Sequence, residues 1–392
     1  MAVVDLFCGC GGLSKGFEQA GFDIVAAFDS WPSAIACYKA NFNHPAIQCN
    51  LNEVDGAIKA IREYNPNIII GGPPCQEFSN AGRRKEGALA DLTYKYAKII
   101  TSLLPNYFIM ENVPRARKSK AYEKARQLYL EKNYGLTEVV LNASGCGAPQ
   151  RRTRFFCIGA LNNKNNFLLD SIFESYGDEE TSIREYFTAH NIPLDVDHYY
   201  RHPTTYRRRA IFSVDEASPT IRGVNRPKPS AYRRHKQDSV GENDLDAIRS
   251  LTLAERAAIQ TFPNDYIFEG LNLSQGDLEQ MVGNAVPVIL SQFVAKRLLE
   301  YMSQDNTSEN NENSFAAWLR EEKHYSSDRS IRDVFSRIQR AQKILPNRPL
   351  DKYFIVDLQE KEEYRQLDVS VRSQIKKAIK LRLEFEEWTM TK

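Results

Sequence analysis

The chain has 392 residues, enough for a large core and two or three domains. A hydrophobic fraction of 42% and a charged fraction of 26% are those of a globular protein, and no stretch approaches the roughly 20 apolar residues of a membrane span. With a net charge of only +2, any affinity for nucleic acid has to come from local patches. The start, "MAVVDLFCG", runs into a strand-like segment without a basic lead, so no secretory signal is expected. Seven scattered cysteines, an odd number, do not suggest a disulfide framework and point to a reducing cytosol.

In chain order, short β-branched or apolar runs predict strands at Val3–Phe7, Ile24–Phe28, Ile47–Cys49, Ile68–Ile70, Tyr107–Met110, Thr137–Leu141 and Phe155–Ile158. Helical spacing falls between them at Leu13–Ala20, Pro32–Asn41, Glu53–Glu63, Thr93–Leu104 and Lys120–Lys132. That alternation predicts parallel strands joined by crossover helices, an α/β, open, doubly wound sheet. After about residue 175 the character changes. Tyr199 to Lys236 holds ten Arg or Lys against two acids, Asp215 and Glu216, with tyrosines and prolines interleaved. Helices resume at Thr252–Gln260 and Val288–Tyr301, and "GNAVP" ahead of the second reads as a loop with Pro287 at the helix start. "SQDNTSENNENS" is a polar linker, and the charged remainder carries apolar stripes at Ile331, Phe335, Ile338 and Leu345, then Val371, Ile375, Ala378 and Ile379.

The first strand runs into "DLFCGCGGLSKGF", where Gly9, Gly11 and Gly12 allow a tight turn and close approach to a ligand. The second ends in "AAFDSW", which places Asp29 to accept hydrogen bonds from a ribose diol and Trp31 to stack on a purine. An adenosine-containing cofactor follows. The loop lacks the G-x-G-x-x-G spacing of dinucleotide enzymes, which disfavours a nicotinamide oxidoreductase. Cys8-x-Cys10 has no second pair to complete a zinc site, so no metal is expected.

Chemistry collects at later strand ends. "GGPPCQEFS" presents Cys75 behind two prolines, "IMENVP" delivers Glu111 and Asn112, and "GAPQRRTRFF" places Gln150, Arg152 and Arg154 before a strand. Each motif alone has a bland reading as a core thiol, a cap or a surface pair. Together, thiol, acid and arginine suit cytosine: carbon 6 accepts a thiolate, an acid at N3 draws off developing charge, and an arginine holds O2.

With these motifs in this order, the sequence resembles the cytosine-C5 DNA methyltransferase family, of the bacterial restriction-modification type, over roughly residues 1 to 300. "DLFCGCGGL", "GGPPCQEFS", "ENV", "PQRRTR", "ASPTIRG" and "MVGNAVP" carry the resemblance. It implies a doubly wound S-adenosylmethionine-dependent methyltransferase fold, a Rossmann-like mixed sheet with a smaller DNA target-recognition domain and a helical C-terminal extension. Cys75 would be the nucleophile, Glu111 would contact N3 and the exocyclic amine, Arg154 would bind O2, and Arg152 would assist. The S-adenosylmethionine site would involve Phe7, Gly9, Gly11, Asp29, Trp31, Asn50, Pro74, Asn284 and Val286. Asp29 and Asn50 stand where the family more often has Glu and Asp.

The target base, unreachable in a stacked duplex, would be flipped out. DNA contacts would come from Gln76, Ser79, Arg83 and Arg84 in the loop after Cys75, and from Arg207, Arg208, Arg209 and Arg222 in the basic segment. The expected domains are 1–175 completed by 279–302 for catalysis and cofactor, 176–278 for target recognition, 303–314 as linker and 315–392 as a charged helical extension. The expected partner is double-stranded DNA, without a membrane. The expected protein is a monomer in the bacterial cytoplasm, with a cognate endonuclease linked genetically rather than bound. RNA methylation by the same chemistry, and a catalytically silent DNA-binding scaffold, are the alternatives.

Overall fold

The structure, a computed structural model, describes residues 1–74, 91–177, 179–205, 208–240, 242–304, 314–346 and 348–391. Cys75, Gln76, Ser79, Arg83, Arg84 and Arg207, together with most of the expected linker, lie outside the described residues. The chain divides into two compact units, Met1–Asn163 with Glu179–Lys296, and Lys164–Asp178 with Arg297–Lys392.

The first unit is built on β1 (Ala2–Leu6), β2 (Asp23–Asp29), β3 (Ala46–Gln48), β4 (Ile68–Gly71), β5 (Tyr107–Asn112), β6 (Tyr134–Asn142), a two-residue β7 (Gln150–Arg151) and β8 (Thr153–Leu161). Seven of these form one sheet in the order β3-β2-β1-β4-β5-β8-β6. Helices α1 (Gly12–Gln19), α2 (Pro32–Asn41), α3 (Val54–Arg62), α4 (Asp91–Leu103) and α5 (Lys120–Glu131) connect the first strands. Every strand and helix expected in this half is present, shifted by a few residues at most. Central strands are apolar on both faces because helices cover both. Ile68, Ile69 and Ile70 are each 0% exposed, a burial that stabilises by roughly 1.5–3 kcal/mol per side chain.

The sheet is mixed, as the family resemblance implied, and departs from the parallel reading of the strand–helix alternation alone in one strand. β8 runs antiparallel to both β5 and β6. Between β6 and β8 lie only a 3-10 turn at Ala143–Cys146 and β7, too little for a parallel crossover, so the chain turns back and inserts between its neighbours. Glu111 on β5 and Phe156 on β8 thereby become register partners, with Arg154 two residues upstream.

Beyond β8 the chain forms α6 (Leu169–Ser175), which belongs to the second unit, and then α7 (Ile183–Ala189) back in the first. β9 (His198–Tyr200), β10 (Ile211–Ser213) and β12 (Arg249–Ser250) make a three-stranded sheet, and β11 (Ser218–Pro219) pairs in parallel with β7. α8 (Leu253–Ile259), α9 (Gln275–Asn284) and α10 (Val288–Gln304) follow, the last entering the second unit at Arg297. A reciprocal cap starts α8: Glu255 N donates to Thr252 Oγ1 at 3.2 Å, and Thr252 N to Glu255 Oε2 at 2.7 Å. The expected loop at Val282–Pro287 is shorter than the sequence suggested. Val282, Gly283 and Asn284 are the last turn of α9, which starts at the Ser274 cap, leaving Ala285–Pro287 as the link to α10.

The second unit is helical: α6, the end of α10, α11 (Phe315–Glu321), α12 (Asp328–Ile344), α13 (Phe354–Glu360), α14 (Glu362–Arg365) and α15 (Val369–Met390). Ile331, Phe335 and Ile338 are buried on α12, and Ile375, Ala378 and Ile379 on α15, the stripes their spacing predicted. α6 is part of this core. Phe173 packs on Phe335, and the Asp170 carboxylate accepts from Ser314 Oγ, Phe315 N and Ala316 N at 2.7–2.9 Å, capping α11 from a distant segment.

Candidate active site

Two clusters of side chains stand at the C-terminal ends of the parallel strands, where open α/β sheets hold ligands. The first surrounds the glycine loop. Leaving β1, the backbone passes through positive φ at Phe7 (58°), Gly9 (53°) and Gly11 (86°) before α1 begins. A Cβ at Gly11 would overlap the Phe42 ring, so that glycine serves packing, whereas a Cβ at Gly9 would meet nothing within 4 Å. Gly9 N donates to Asp29 Oδ2 and Trp31 N to Asp29 Oδ1, both at 2.9 Å. Burial raises the Asp29 pKa, and the N–H groups of Trp31, Gly9 and Ser30 work against that rise. The carboxylate is thus fixed beside an open, glycine-walled space, a fit for a hydroxylated adenosine group. Asn50 is exposed at the neighbouring strand end, where it donates to Glu53 Oε1 at 2.9 Å and accepts from Asn52 N at 3.2 Å. Pro74 is half-buried.

Beneath the loop, Ser14 Oγ donates to Asp5 Oδ2 at 2.6 Å, and Tyr38 OH, beside His44 Nε2 at 2.8 Å, donates to Ser14 Oγ at 2.6 Å. Asp5 is fully buried, which pushes its pKa up to about 8 despite the hydrogen bonds of Ser14.

The second cluster is an acid and an arginine. Glu111 is 8% exposed at the end of β5, and Arg154 Nε lies 2.8 Å from its Oε1 across the β5–β8 pair. Burial raises the Glu111 pKa; the charges of Arg154 and Arg152 oppose the rise. Gly72, just after β4 and before Pro73, makes room for this carboxylate: a Cβ there would stand 3.0 Å from Glu111 Oε2. Asn112 Nδ2 donates to the Pro73 carbonyl at 3.3 Å, tying β5 to the segment that leaves β4.

Arg152 and Gln150 face another way. Arg152 is 1% exposed, and its guanidinium donates to the carbonyls of Ile221 (2.8 Å), Gly283 (2.9 Å) and Asn284 (3.2 Å). Gln150 accepts from Ile221 N and donates to Gln260 Oε1, while Gln260 donates to the carbonyls of Val282 and Ala285. One buried network therefore fixes the end of α9 and the start of the link against β7 and the "PTIRG" segment. Gly12 and Gly16 let α1 pack directly on the same link and on α10, and Ser291 Oγ donates to the Leu13 carbonyl at 2.6 Å. Phe7, Gly9, Asp29 and Trp31 thus gather at the ends of β1 and β2, and Glu111 and Arg154 at β5 and β8. Asn284 ends α9, and Val286 lies on the link that follows.

The profile of the C-5 cytosine-specific DNA methylase family matches residues 1–300. The chain belongs to that family. The Type II methyltransferase M.HindV of Haemophilus influenzae is 47% identical over 302 residues, 77% of this chain and 97% of that protein. M.HgiDI of Herpetosiphon aurantiacus is 49% identical over 305 residues, 78% of this chain and 96% of that one. Among solved structures, the S. pombe Dnmt2 methyltransferase has a TM-score of 0.58 at 18% identity, covering 78% of this chain and 99% of its own. The Entamoeba histolytica methyltransferase EhMeth has a TM-score of 0.54 at 19% identity, covering 79% and 99%. These likenesses support the fold: an α/β methylase with a seven-stranded mixed sheet and a helical C-terminal region.

Among the described residues of this methylase, the basic segment splits into internal and exposed cations. Arg209 is held by Glu216 and Ser239, donates to the Ile211 carbonyl at 2.9 Å and lies over the Phe212 ring. Arg222 bonds the His202 carbonyl, and burial lowers its pKa. Arg201 donates to the Thr220 carbonyl at 2.7 Å, and its pKa falls to about 10 through burial and the neighbouring Arg222 and Arg208. Arg208 is exposed. Arg256 pairs with Glu279 and bonds the Arg222 carbonyl. The sequence reading missed Arg256, Gln260 and Gly72. The Thr252-x-x-Glu255 cap announces the helix, but nothing in the pattern marks Gln260 at its end as the partner of Gln150. Among the described residues no helix is long and apolar enough to cross a membrane, and no group of His, Cys, Asp or Glu gathers as a metal site.

Proposed function

We propose that this methylase transfers a methyl group from S-adenosylmethionine to carbon 5 of a cytosine flipped out of a specific short duplex sequence. The buried Glu111–Arg154 pair, on the same edge of the sheet as the Asp29–Gly9 cradle, carries the reading. S-adenosylmethionine, when bound, supplies an electrophilic methyl group. Phe7, Gly9, Gly11, Asp29, Trp31, Asn50, Pro74, Asn284 and Val286 would hold it, Asp29 taking the ribose diol.

Cys75 adds through its thiolate to carbon 6, and the displaced electron pair makes carbon 5 nucleophilic. Glu111 contacts N3 as proton donor, a role that its raised pKa suits, since more of the acid is protonated at neutral pH than in a free glutamate. Arg154 contacts O2 and holds Glu111 in place. Arg152 is a positioning residue that fixes the end of α9, where Asn284 lies. Loss of the carbon 5 proton then expels the thiolate and N3 returns its proton to Glu111, so Cys75 and Glu111 are both regenerated.

Residues 176–278 form the DNA-recognition domain, with Arg207, Arg208, Arg209 and Arg222 on or behind its DNA face and Gln76, Ser79, Arg83 and Arg84 on the loop after Cys75. Residues 1–175 with 279–302 carry catalysis, 303–314 link, and 315–392 extend the chain. The chain acts as a monomer in the bacterial cytoplasm and protects host DNA in a restriction-modification system, its endonuclease encoded nearby rather than bound. The relatives named as Type II methyltransferases support this setting. The test is bisulfite sequencing of plasmid from a methylation-deficient host expressing the chain. One short sequence context should carry the mark, and Cys75→Ser should abolish it. Methylation of tRNA but not duplex DNA, or a Cys75→Ser variant as active as wild type, overturns the proposal.

A further inference from the structure

The segment from Arg226 to Gln237 carries five cations, Arg226, Lys228, Arg233, Arg234 and Lys236, and no acid. Arg226, Arg233, Arg234 and Lys236 are exposed. A free loop of this composition would be a mobile cationic tether. Here both ends are fixed. At its start, Asn225 Nδ2 donates to the Leu251 carbonyl at 2.9 Å and to Glu279 Oε1 at 3.1 Å, and Ser250 Oγ donates to the Arg226 carbonyl at 2.7 Å. At its end sits Asp238, 6% exposed, whose two carboxylate oxygens accept four hydrogen bonds. Oδ1 takes Ala210 N and Ile211 N at 3.0 Å; Oδ2 takes Tyr232 OH at 2.6 Å and His235 N at 2.7 Å. The first pair belongs to β10 and its approach, the second to the cationic segment itself. Tyr232 also seats its ring edge-on against Tyr200 in the small core of Ala210, Ile211, Val240 and Ile248. Pro227 and Pro229 restrict the backbone between the two anchors.

We infer that residues 226–237 are a preset cationic arm for the DNA backbone, and that Asp238 is the positioning residue that holds it. The inference rests on the reading of residues 176–278 as the DNA-recognition domain. A carboxylate bridging the strand to the arm fixes the backbone from which Arg233, Arg234 and Lys236 project, so their charges meet successive phosphates without first being ordered. Burial alone would raise the Asp238 pKa; its four donors hold it below the ordinary carboxylate range, so the clamp is charged at working pH.

Charge counting and positioning predict opposite signs. Asp238→Asn removes a negative charge from among five cations, which by electrostatics alone tightens binding to DNA. If Asp238 positions the arm, the same change weakens it, because the amide nitrogen cannot accept from the donors that one oxygen serves. The measurement is the Kd for a mixed-sequence plasmid fragment across a salt series, with S-adenosylmethionine binding as the check on folding.

Asp238→Asn should weaken binding roughly tenfold, and Arg233→Ala/Arg234→Ala/Lys236→Ala should lower the log Kd–log salt slope by about two to three. Adding Asp238→Asn to that triple variant should cost little more, since the arm it holds is already discharged. Should Asp238→Asn not fold, Tyr232→Phe, which removes one donor and no charge, should weaken binding about twofold to threefold. Unchanged or tighter binding by the single variant, or an equal loss in both backgrounds, overturns the inference. Wild-type protein without affinity for duplex DNA overturns it together with the reading beneath it.

Discussion

Glu111 is a carboxyl group set between two opposed influences, burial that favours its neutral form and arginines that favour its charge. The rate of a step that needs it protonated falls as pH rises through its pKa. Removing Arg154 takes away the larger of the opposing charges, so in Arg154→Ala the alkaline limb of the kcat profile should move to higher pH. The maximum rate should drop on the order of a hundredfold, as for loss of a single donor to a developing anion. A limb that stays in place would mean that another group sets it. Gly72→Ala tests the same carboxylate by crowding, because the added Cβ would press on Glu111 Oε2 at 3.0 Å. The expected outcome is a fall in kcat with KM for DNA nearly unchanged, measured by steady-state methylation. Asp5 gives a stability signature instead. Its pKa of about 8 in the fold, against 3.8 for an exposed carboxyl, means the native state keeps a proton that the unfolded chain releases. Stability should therefore decline by roughly 1.4 kcal/mol per pH unit between about pH 4 and 8, a decline absent from Asp5→Asn. Thermal unfolding of both proteins at pH 5 and pH 8 checks this, the variant gaining on wild type as pH rises.

Elements transmit what single groups begin. Arg152 satisfies three carbonyls, two of them at the end of α9 where Asn284 lies. Arg152→Met should leave those acceptors without donors at a cost of about 1–3 kcal/mol each, and should weaken S-adenosylmethionine binding more than DNA binding, both readable by calorimetry. Such a role was beyond reach of the sequence, in which Arg152 and Arg154 are two residues of one motif. Arg154 lies on β8 beside Glu111, whereas Arg152 sits in the break between β7 and β8 and turns into the interior. The seven strands and five crossover helices of the first half were legible because period, prolines and glycines all agreed there. The reversal of β8 did not follow from the strand–helix alternation and entered only through the family resemblance, which implied a mixed sheet; its cause is how little chain separates β8 from β6. That Asp29 would meet the glycine loop could be read from the ends of the first two strands, and Gly9 N joins them. The Gln150–Gln260 link could not, because it joins residues 110 positions apart in sequence with no local pattern between them.

The whole molecule is less modular than its linear order suggests. The helical unit takes in residues 164–178, so its core is not confined to the segment after the linker. Deleting residues 315–392 should accordingly expose Leu169, Ile172 and Phe173, all at most 1% exposed in the intact protein, and strand the Asp170 carboxylate that caps α11. We expect insoluble or aggregating protein from that deletion, measured by the soluble fraction and light scattering. A soluble monomer with full methylation activity would contradict the expectation.

The interleaving also sets a timetable for synthesis. The apolar face of α6 leaves the ribosome well over a hundred residues before α11 and α12 exist to cover it. At 5–20 residues per second the wait is on the order of ten seconds, far longer than a small domain needs to collapse. During it, Leu169, Ile172 and Phe173 are a short adhesive patch on a nascent chain whose catalytic sheet is already complete. Trigger-type holdases should therefore bind stalled chains ending near residue 300 and release those that reach the C-terminus.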